Sequence, residues 1–260
     1  MNNLNRITAL MDSDKKRILS VFFTAGFPGL NDTFTIASAL QESGVDMIEI
    51  GMPFSDPVAD GPVIQSSSKK ALENGMTTEL VLAQLKEIRK VVNIPILLMG
   101  YVNPIMQYGI ARFCKDAAAA GADGMILPDL PPEVYKLQFE ADFKSAGLLN
   151  IFLVAPTTSE ARIRLIDEVS DGFIYAVATA GTTGIRKGIS EEQLQYFTKL
   201  KTMNLKNPVV AGFGISNAED FNAITNYTRG AIVGSAYIKL LDASNDLRSD
   251  TIRFVRSLRP

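Results

Sequence analysis

At 260 residues, 47% hydrophobic and 21% charged, the chain has the composition of a folded globular protein with ample core, at a length closed α/β barrels commonly reach. Its formal charge of -2, with no basic block, excludes an electrostatic footprint for nucleic acid. There is no histidine, so Ser-His-Asp triads, imidazole bases and His-ligated zinc are excluded, and acid–base work falls to Asp, Glu, Lys or Tyr.

In chain order, residues 2–14 are predicted to form a short leading helix over one end of the fold. Met1 to Lys16 lacks the apolar core of a signal peptide, and no apolar run approaches a bilayer span. The single cysteine, Cys114, excludes an internal disulfide and fits a reducing compartment, so a cytoplasmic location is expected. Ile18 to Phe23 is the first strand. A helix with Phe34, Ala37 and Leu40 on one face then stops at Gly44.

Val45 to Ile50 is the second strand, with Glu49 near its end. A loop rich in proline and acid follows, and then Val81, Leu85, Ile88 and Val92 fall at the i, i+4, i+7, i+11 spacing of an amphipathic helix. Pro95 to Met99 is the third strand, and a helix over 104–120 stops at Gly121. Asp123 to Leu127 is the fourth strand, followed by a helix carrying Val134 and Leu137 that stops at Gly147. Ile151 to Val154 is the fifth. Leu165, Ile166 and Val169 line the next helix, Phe173 to Val177 is the sixth strand, and a Gly/Thr loop runs from Ala178 to Gly188.

Leu194, Phe197 and Leu200 mark a helix before the seventh strand, Pro208 to Ala211. Ser216 with Glu219 has the pattern of a capping box. Ala231 to Val233 is the eighth strand, and Leu247, Thr251, Phe254, Val255 and Leu258 stripe the last helix. Glycines 44, 121 and 147 each end a helix just before a strand. Nearly continuous apolar strands point to a parallel sheet covered on both faces. The pattern predicts a (β/α)8 TIM barrel with a short N-terminal extra helix, one domain over residues 1–260. A doubly wound open sheet is the alternative, and no GxGxxG follows the first strand to support it.

The strongest chemical signal runs from Glu49 to Gln65. Glu49 ends an apolar strand, where an unpaired charge loses its hydration. The other reading, a structural ion pair, finds no Lys or Arg in the neighbouring strand cores. Asp60, on the loop, is the candidate partner in an acid–base pair, although Asp before Gly is also ordinary turn chemistry. Asp56 and Asp129, beside prolines, are expected to make loop contacts. Tyr101 and Tyr175 bring hydroxyls toward the barrel mouth or serve in packing.

Gly212-Phe213-Gly214-Ile215-Ser216 and Gly234-Ser235 each open onto a helix. Backbone N–H groups and a helix dipole there suit a phosphate, with turn geometry as the plainer explanation. The loop 178–188 is a candidate lid in which Thr183 would bond a carboxylate and Gly184 the phosphate.

The segment Glu49 to Gln65 closely resembles the signature of the tryptophan synthase alpha chain family, a strand-end Glu followed by G-x-P-F-S-D-P-x-A-D-G-P-x-I-Q. Phe22 to Gly26, Pro128 to Pro131, Gly181 to Gly184, Gly212 to Ser216 and Gly234 to Ala236 resemble further family segments in family order. The resemblance implies a lyase that cleaves indole-3-glycerol phosphate to indole and glyceraldehyde 3-phosphate, with Glu49 and Asp60 as its catalytic carboxylates. It implies phosphate binding around Gly184, Gly212, Gly214, Gly234 and Ser235, and a substrate slot from Phe22, Met99, Ile126 and Tyr175, with Tyr101 and Thr183 nearby.

The resemblance also implies no metal or organic cofactor in this chain, and a pyridoxal-phosphate-dependent beta chain as partner in an αββα assembly with an indole tunnel. Loop 52–60 would face that partner. Two departures from the family pattern are Thr182, where the lid usually has valine, and Met99-Gly100 ahead of Tyr101. Two alternatives stay open: a non-catalytic allosteric partner of the beta chain, or another phosphate-binding barrel such as a sugar-phosphate isomerase or epimerase.

Overall fold

The computed structural model describes residues 4–178, 190–212 and 214–259. Among them, strands β1 (Ile18–Thr24), β2 (Met47–Gly51), β3 (Ile96–Met99), β4 (Gly124–Ile126), β5 (Leu149–Ile151), β6 (Leu153–Val154), β7 (Ile174–Val177), β8 (Val209–Gly212) and β9 (Gly230–Val233) form one sheet. Every pairing is parallel.

The ladder runs β5-β4-β3-β2-β1-β9-β8-β7-β6, and its two ends are separated in the chain by Phe152 alone. The predicted fifth strand is therefore split: its first half pairs with β4, its second with β7, and the chain itself closes the barrel. This is the expected TIM barrel. Because all strands are parallel, the loops after them gather at one end, the end that carries chemistry in this architecture.

The opposite end is tied by two buried aspartates. Helix α1 (Arg6–Asp12) lies across it, and Arg6 Nη1 reaches Asp123 Oδ1 at 2.9 Å. Asp123 also accepts from Arg89 Nη2 at 2.7 Å and from the Ile96 N–H at 2.8 Å. Asp46 takes the matching position just before β2, as Asp123 does before β4, accepting from the Leu19 N–H at 2.8 Å and Arg259 Nη1 at 2.7 Å. Gly121 serves Arg89 as well as the turn: its φ is +103°, and a Cβ there would stand 2.5 Å from Arg89 Cγ. Arg89→Met should lower stability by about 3 kcal/mol, since it leaves part of a buried carboxylate unpaired. A urea titration checks this; a loss within error would mean that Arg6 alone suffices.

The helices differ from expectation in five places. Helix α3 (Pro62–Glu73) was not predicted, because its buried face is Ser67, Ser68 and Ala71 and shows no apolar period. The helix expected over 104–120 is two, α5 (Val102–Tyr108) and α6 (Ile110–Ala120), broken at Gly109 with φ +93°. In helix α2 (Thr33–Glu42), Ile36 takes the core position and Phe34 is exposed, while Leu137 is exposed within the π-helical turn Tyr135–Phe139. The cap of helix α11 (Ala218–Thr225) is Asn217, which accepts from the Asp220 N–H, in place of the Ser216–Glu219 box.

Candidate active site

Barrel alternation decides which side chains face the interior. Phe22 pairs with Glu49 and Glu49 with Leu97, so the three share one layer of the barrel. Gly51, Met99 and Ile126 form the next layer toward the loop end. On the far wall Tyr175 pairs with Val210, and Gly212 lies one step beyond.

Glu49 is fully buried. Its Oε1 accepts from Ser20 Oγ at 2.8 Å, and its Oε2 has no partner among the described residues. Burial pushes its carboxyl up to about 8, against a smaller downward pull from the Ser20 bond. At neutral pH the group is therefore mostly neutral and holds a proton it can give. A structural ion pair would have left neither property.

Asp60 sits on the loop between β2 and α3. Its Oδ2 accepts from Tyr101 Oη at 3.0 Å, and the same Oη accepts the Ala59 N–H at 3.0 Å. Gln65 Nε2 adds a bond to the Asp60 carbonyl at 2.8 Å. Burial raises the Asp60 carboxyl, opposed by the Tyr101 bond. Tyr101 is held in turn by Phe54, whose ring centroid lies 5.2 Å away. Tyr101 is thus a clamp on the acid-bearing loop. Asp129 makes the expected loop contact, accepting the Val102 N–H at 3.1 Å.

Burial first, and then Glu49 and Asp60, raise the Tyr175 phenol well above its usual range. Tyr175 lies over Gly212: a Cβ there would stand 2.1 Å from the ring, so this glycine makes room for a side chain. Gly214 is exposed and open on its Cβ side. Gly234 precedes helix α12 (Ser235–Ala243), whose first turn has no side-chain cap. Among the described residues no side chain caps its first N–H groups, an arrangement that suits an anion. Phe22 bridges the two regions, with its ring 2.7 Å from a Cβ built on Gly51 and 3.5 Å from one on Gly234.

The expected aromatic slot is narrower than the sequence suggested. Phe22, Met99 and Tyr101, with Gly51, Met52, Asp60 and Gly100, enclose a cavity of only about 10 Å³, roughly one water. Met52 narrows it, because its methyl occupies the Cβ position that Gly100 lacks, 2.5 Å away. Ile126, in register with Met99, is fully buried and does not line the cavity. Thr183 and Gly184 lie outside the described residues, as do the rest of 179–189 and Phe213. Among the described residues no group of three or more Cys, Asp and Glu could hold a metal ion.

The residue that sequence reading missed is Ser20. A serine inside an otherwise apolar strand, Ile18-Leu19-Ser20-Val21-Phe22-Phe23, was the available signal.

Comparison with known proteins gives one family. The model of the tryptophan synthase alpha chain family matches residues 8–259. The alpha chain from Flavobacterium psychrophilum is 56% identical over 238 residues, 92% of this chain and 94% of that one. The crystal structure of the alpha subunit from Legionella pneumophila is 34% identical, with a TM-score of 0.89 over 99% of this chain and 98% of that one. A chain of the tryptophan synthase complex from Pyrococcus furiosus is 33% identical, with a TM-score of 0.86 over 94% of this chain and 98% of that one.

Proposed function

The chain belongs to the tryptophan synthase alpha chain family, lyases of tryptophan biosynthesis that cleave indole-3-glycerol phosphate, and from that premise we propose that Glu49 and Asp60 carry the cleavage. The reading of the chain as a sugar-phosphate isomerase or epimerase falls with this membership.

Cleavage breaks the bond between indole C3 and the first carbon of the glycerol chain. Glu49, neutral near pH 7, gives its proton to C3, and positive charge develops toward the ring nitrogen. The ionised Asp60 accepts the ring N–H and stabilises that charge. Glu49, now a carboxylate, takes the proton of the side-chain hydroxyl. The C3 bond breaks, its electron pair restores the indole, and the chain leaves as an aldehyde. Glu49 ends as it began, so the step balances without another reagent. The observation that carries this reading is the fully buried Glu49 carboxyl, with one oxygen held by Ser20 and the other without a partner among the described residues.

The phosphate would rest on the uncapped N-terminus of α12, at Gly234 and Ser235, with Gly214 alongside and Thr183 and Gly184 closing from the lid. Gly212 serves by admitting Tyr175. The reaction calls for no metal or organic cofactor in this chain; pyridoxal phosphate belongs to the beta chain.

That beta chain is the partner we propose, in a two-alpha, two-beta assembly. Val58, Met106 and Leu137, 84%, 56% and 82% exposed, lie on the segments that follow β2, β3 and β4. Exposed apolar side chains on segments that leave the loop end of the barrel suit a protein partner. The setting we infer is cytoplasmic; among the described residues no helix is long and apolar enough to cross a membrane.

The test is indole release by variants of each carboxyl, with substrate binding measured separately. Full turnover in either variant would overturn the assignment. Tyr101→Phe should lower turnover roughly 30-fold, the effect of losing two hydrogen bonds worth about 1 kcal/mol each from the Asp60 loop. Proteolysis of the 52–61 loop should accelerate in parallel. An unchanged rate would mean that catalysis does not use the clamp.

A further inference from the structure

Ser20 has no reason to be serine on packing grounds. It lies on β1 two residues before Phe22, paired with Met47 on one side and Ile232 on the other. That layer of the barrel interior is otherwise apolar, and Ser20 is fully buried. A hydroxyl so placed is unfavourable unless something accepts its proton. The acceptor is Glu49 Oε1, at 2.8 Å, and this is the one hydrogen bond the carboxyl makes among the described residues.

A neutral carboxyl has one carbonyl oxygen and one O–H. A donor aimed at Oε1 makes that oxygen the carbonyl, so the proton resides on Oε2. Without the donor the two oxygens are nearly equivalent, and the proton spends part of its time facing the barrel floor. When Glu49 has lost its proton the same hydroxyl still donates, now to a carboxylate, and holds the side chain in place for the return step.

We propose that Ser20 is a positioning residue for the lyase reaction, fixing which oxygen of Glu49 carries the transferred proton. This rests on Glu49 being the acid–base group. The elements around Glu49 bring few other groups to bear. On β1 these are Ser20 and Phe22, on β3 Leu97, and on β7 the phenol of Tyr175, which also feels Asp60 from its loop. The Ser20 bond opposes the effect of burial, so losing it moves the Glu49 titration upward.

The experiment follows cleavage of indole-3-glycerol phosphate against pH in the full chain with its beta chain. In Ser20→Ala, kcat should fall about 10-fold with KM within twofold, and the Glu49 limb should move up by about one pH unit. Ser20→Thr, which keeps the hydroxyl, should restore the limb. Difference infrared spectroscopy supplies a second reading: the Glu49 carbonyl band, assigned by its loss in Glu49→Gln, should move to higher frequency in Ser20→Ala. An unchanged limb and band in Ser20→Ala would overturn the proposal. So would a rate loss that Ser20→Thr reproduces, which would mark Ser20 as a packing residue. Continued turnover in Glu49→Gln would instead overturn the reading beneath it, whatever the Ser20 variants do.

Discussion

Glu49→Gln is expected to lower indole release on the order of 10³-fold or more, since one group both gives and takes a proton in the cleavage. Substrate binding should survive, because the amide keeps the shape and still accepts from Ser20. Stability should move the other way. The Glu49 carboxyl is raised from 4.5 to about 8 in the folded chain. Its contribution is therefore full below about pH 4.5 and is lost as pH rises through about 8, where the unfolded chain releases a proton that the folded one keeps.

At pH 7 that difference amounts to about 3 kcal/mol. Glutamine removes it, less about 1 kcal/mol for an amide N–H without a partner. The variant should then be about 2 kcal/mol more stable than the parent at pH 7, and equal to it or weaker at pH 4.5. Urea titrations at the two pH values measure this. A variant less stable at both would mean that the carboxyl is charged and paired in the fold.

Asp60→Asn should lower kcat by roughly 10²–10³-fold, the usual loss when one preorganised electrostatic partner of a developing charge is removed. KM should change far less, because the charge it answers exists only as the reaction proceeds. The sharper test uses a substrate methylated at the ring nitrogen. With no N–H to offer, that substrate should be cleaved at similar rates by the parent and by Asp60→Asn. A persistent 10²-fold gap would assign Asp60 a different role, such as taking the hydroxyl proton. Electrostatics from the clamp enter here too: the Tyr101 bond keeps Asp60 closer to its ionised form against the effect of burial.

Much of the barrel was legible because its signals are local. Helix-ending Gly44, Gly121 and Gly147 all have positive φ, as a left-handed stop requires. Val81, Leu85, Ile88 and Val92 are all buried, as their spacing implied. The failures are local as well. Helix α3 packs with small and polar side chains, so the apolar period was silent there. At 104–120 the period continued through Gly109, although the helix did not. Asn217 outcompeted Ser216 for the cap by one position, a difference set by backbone entry angle that residue type alone does not specify.

The candidate site divides in the same way. Glu49 was visible because an acid at the end of an apolar strand is anomalous, whereas Asp60, ordinary as an Asp before Gly, stood out only as the acid on the loop that follows it. Their surroundings were not. Ser20 is 29 residues from Glu49 and Tyr101 is 41 from Asp60. The gap beside Asp60 was expected to fit a bicyclic ring and is filled by Met52 and Phe22.

From sequence alone came the alternation of strand and helix, the excluded chemistries and the pair of acids. Those follow from periodicity, from missing side chains and from neighbours within a few residues. The tertiary structure alone decided that Glu49 is sealed from solvent with one oxygen held by Ser20 and the other unmatched among the described residues, and that Asp60 is pinned by a tyrosine. Proton affinity depends on everything within a few ångströms, and barrel closure brings those groups together from distant parts of the chain.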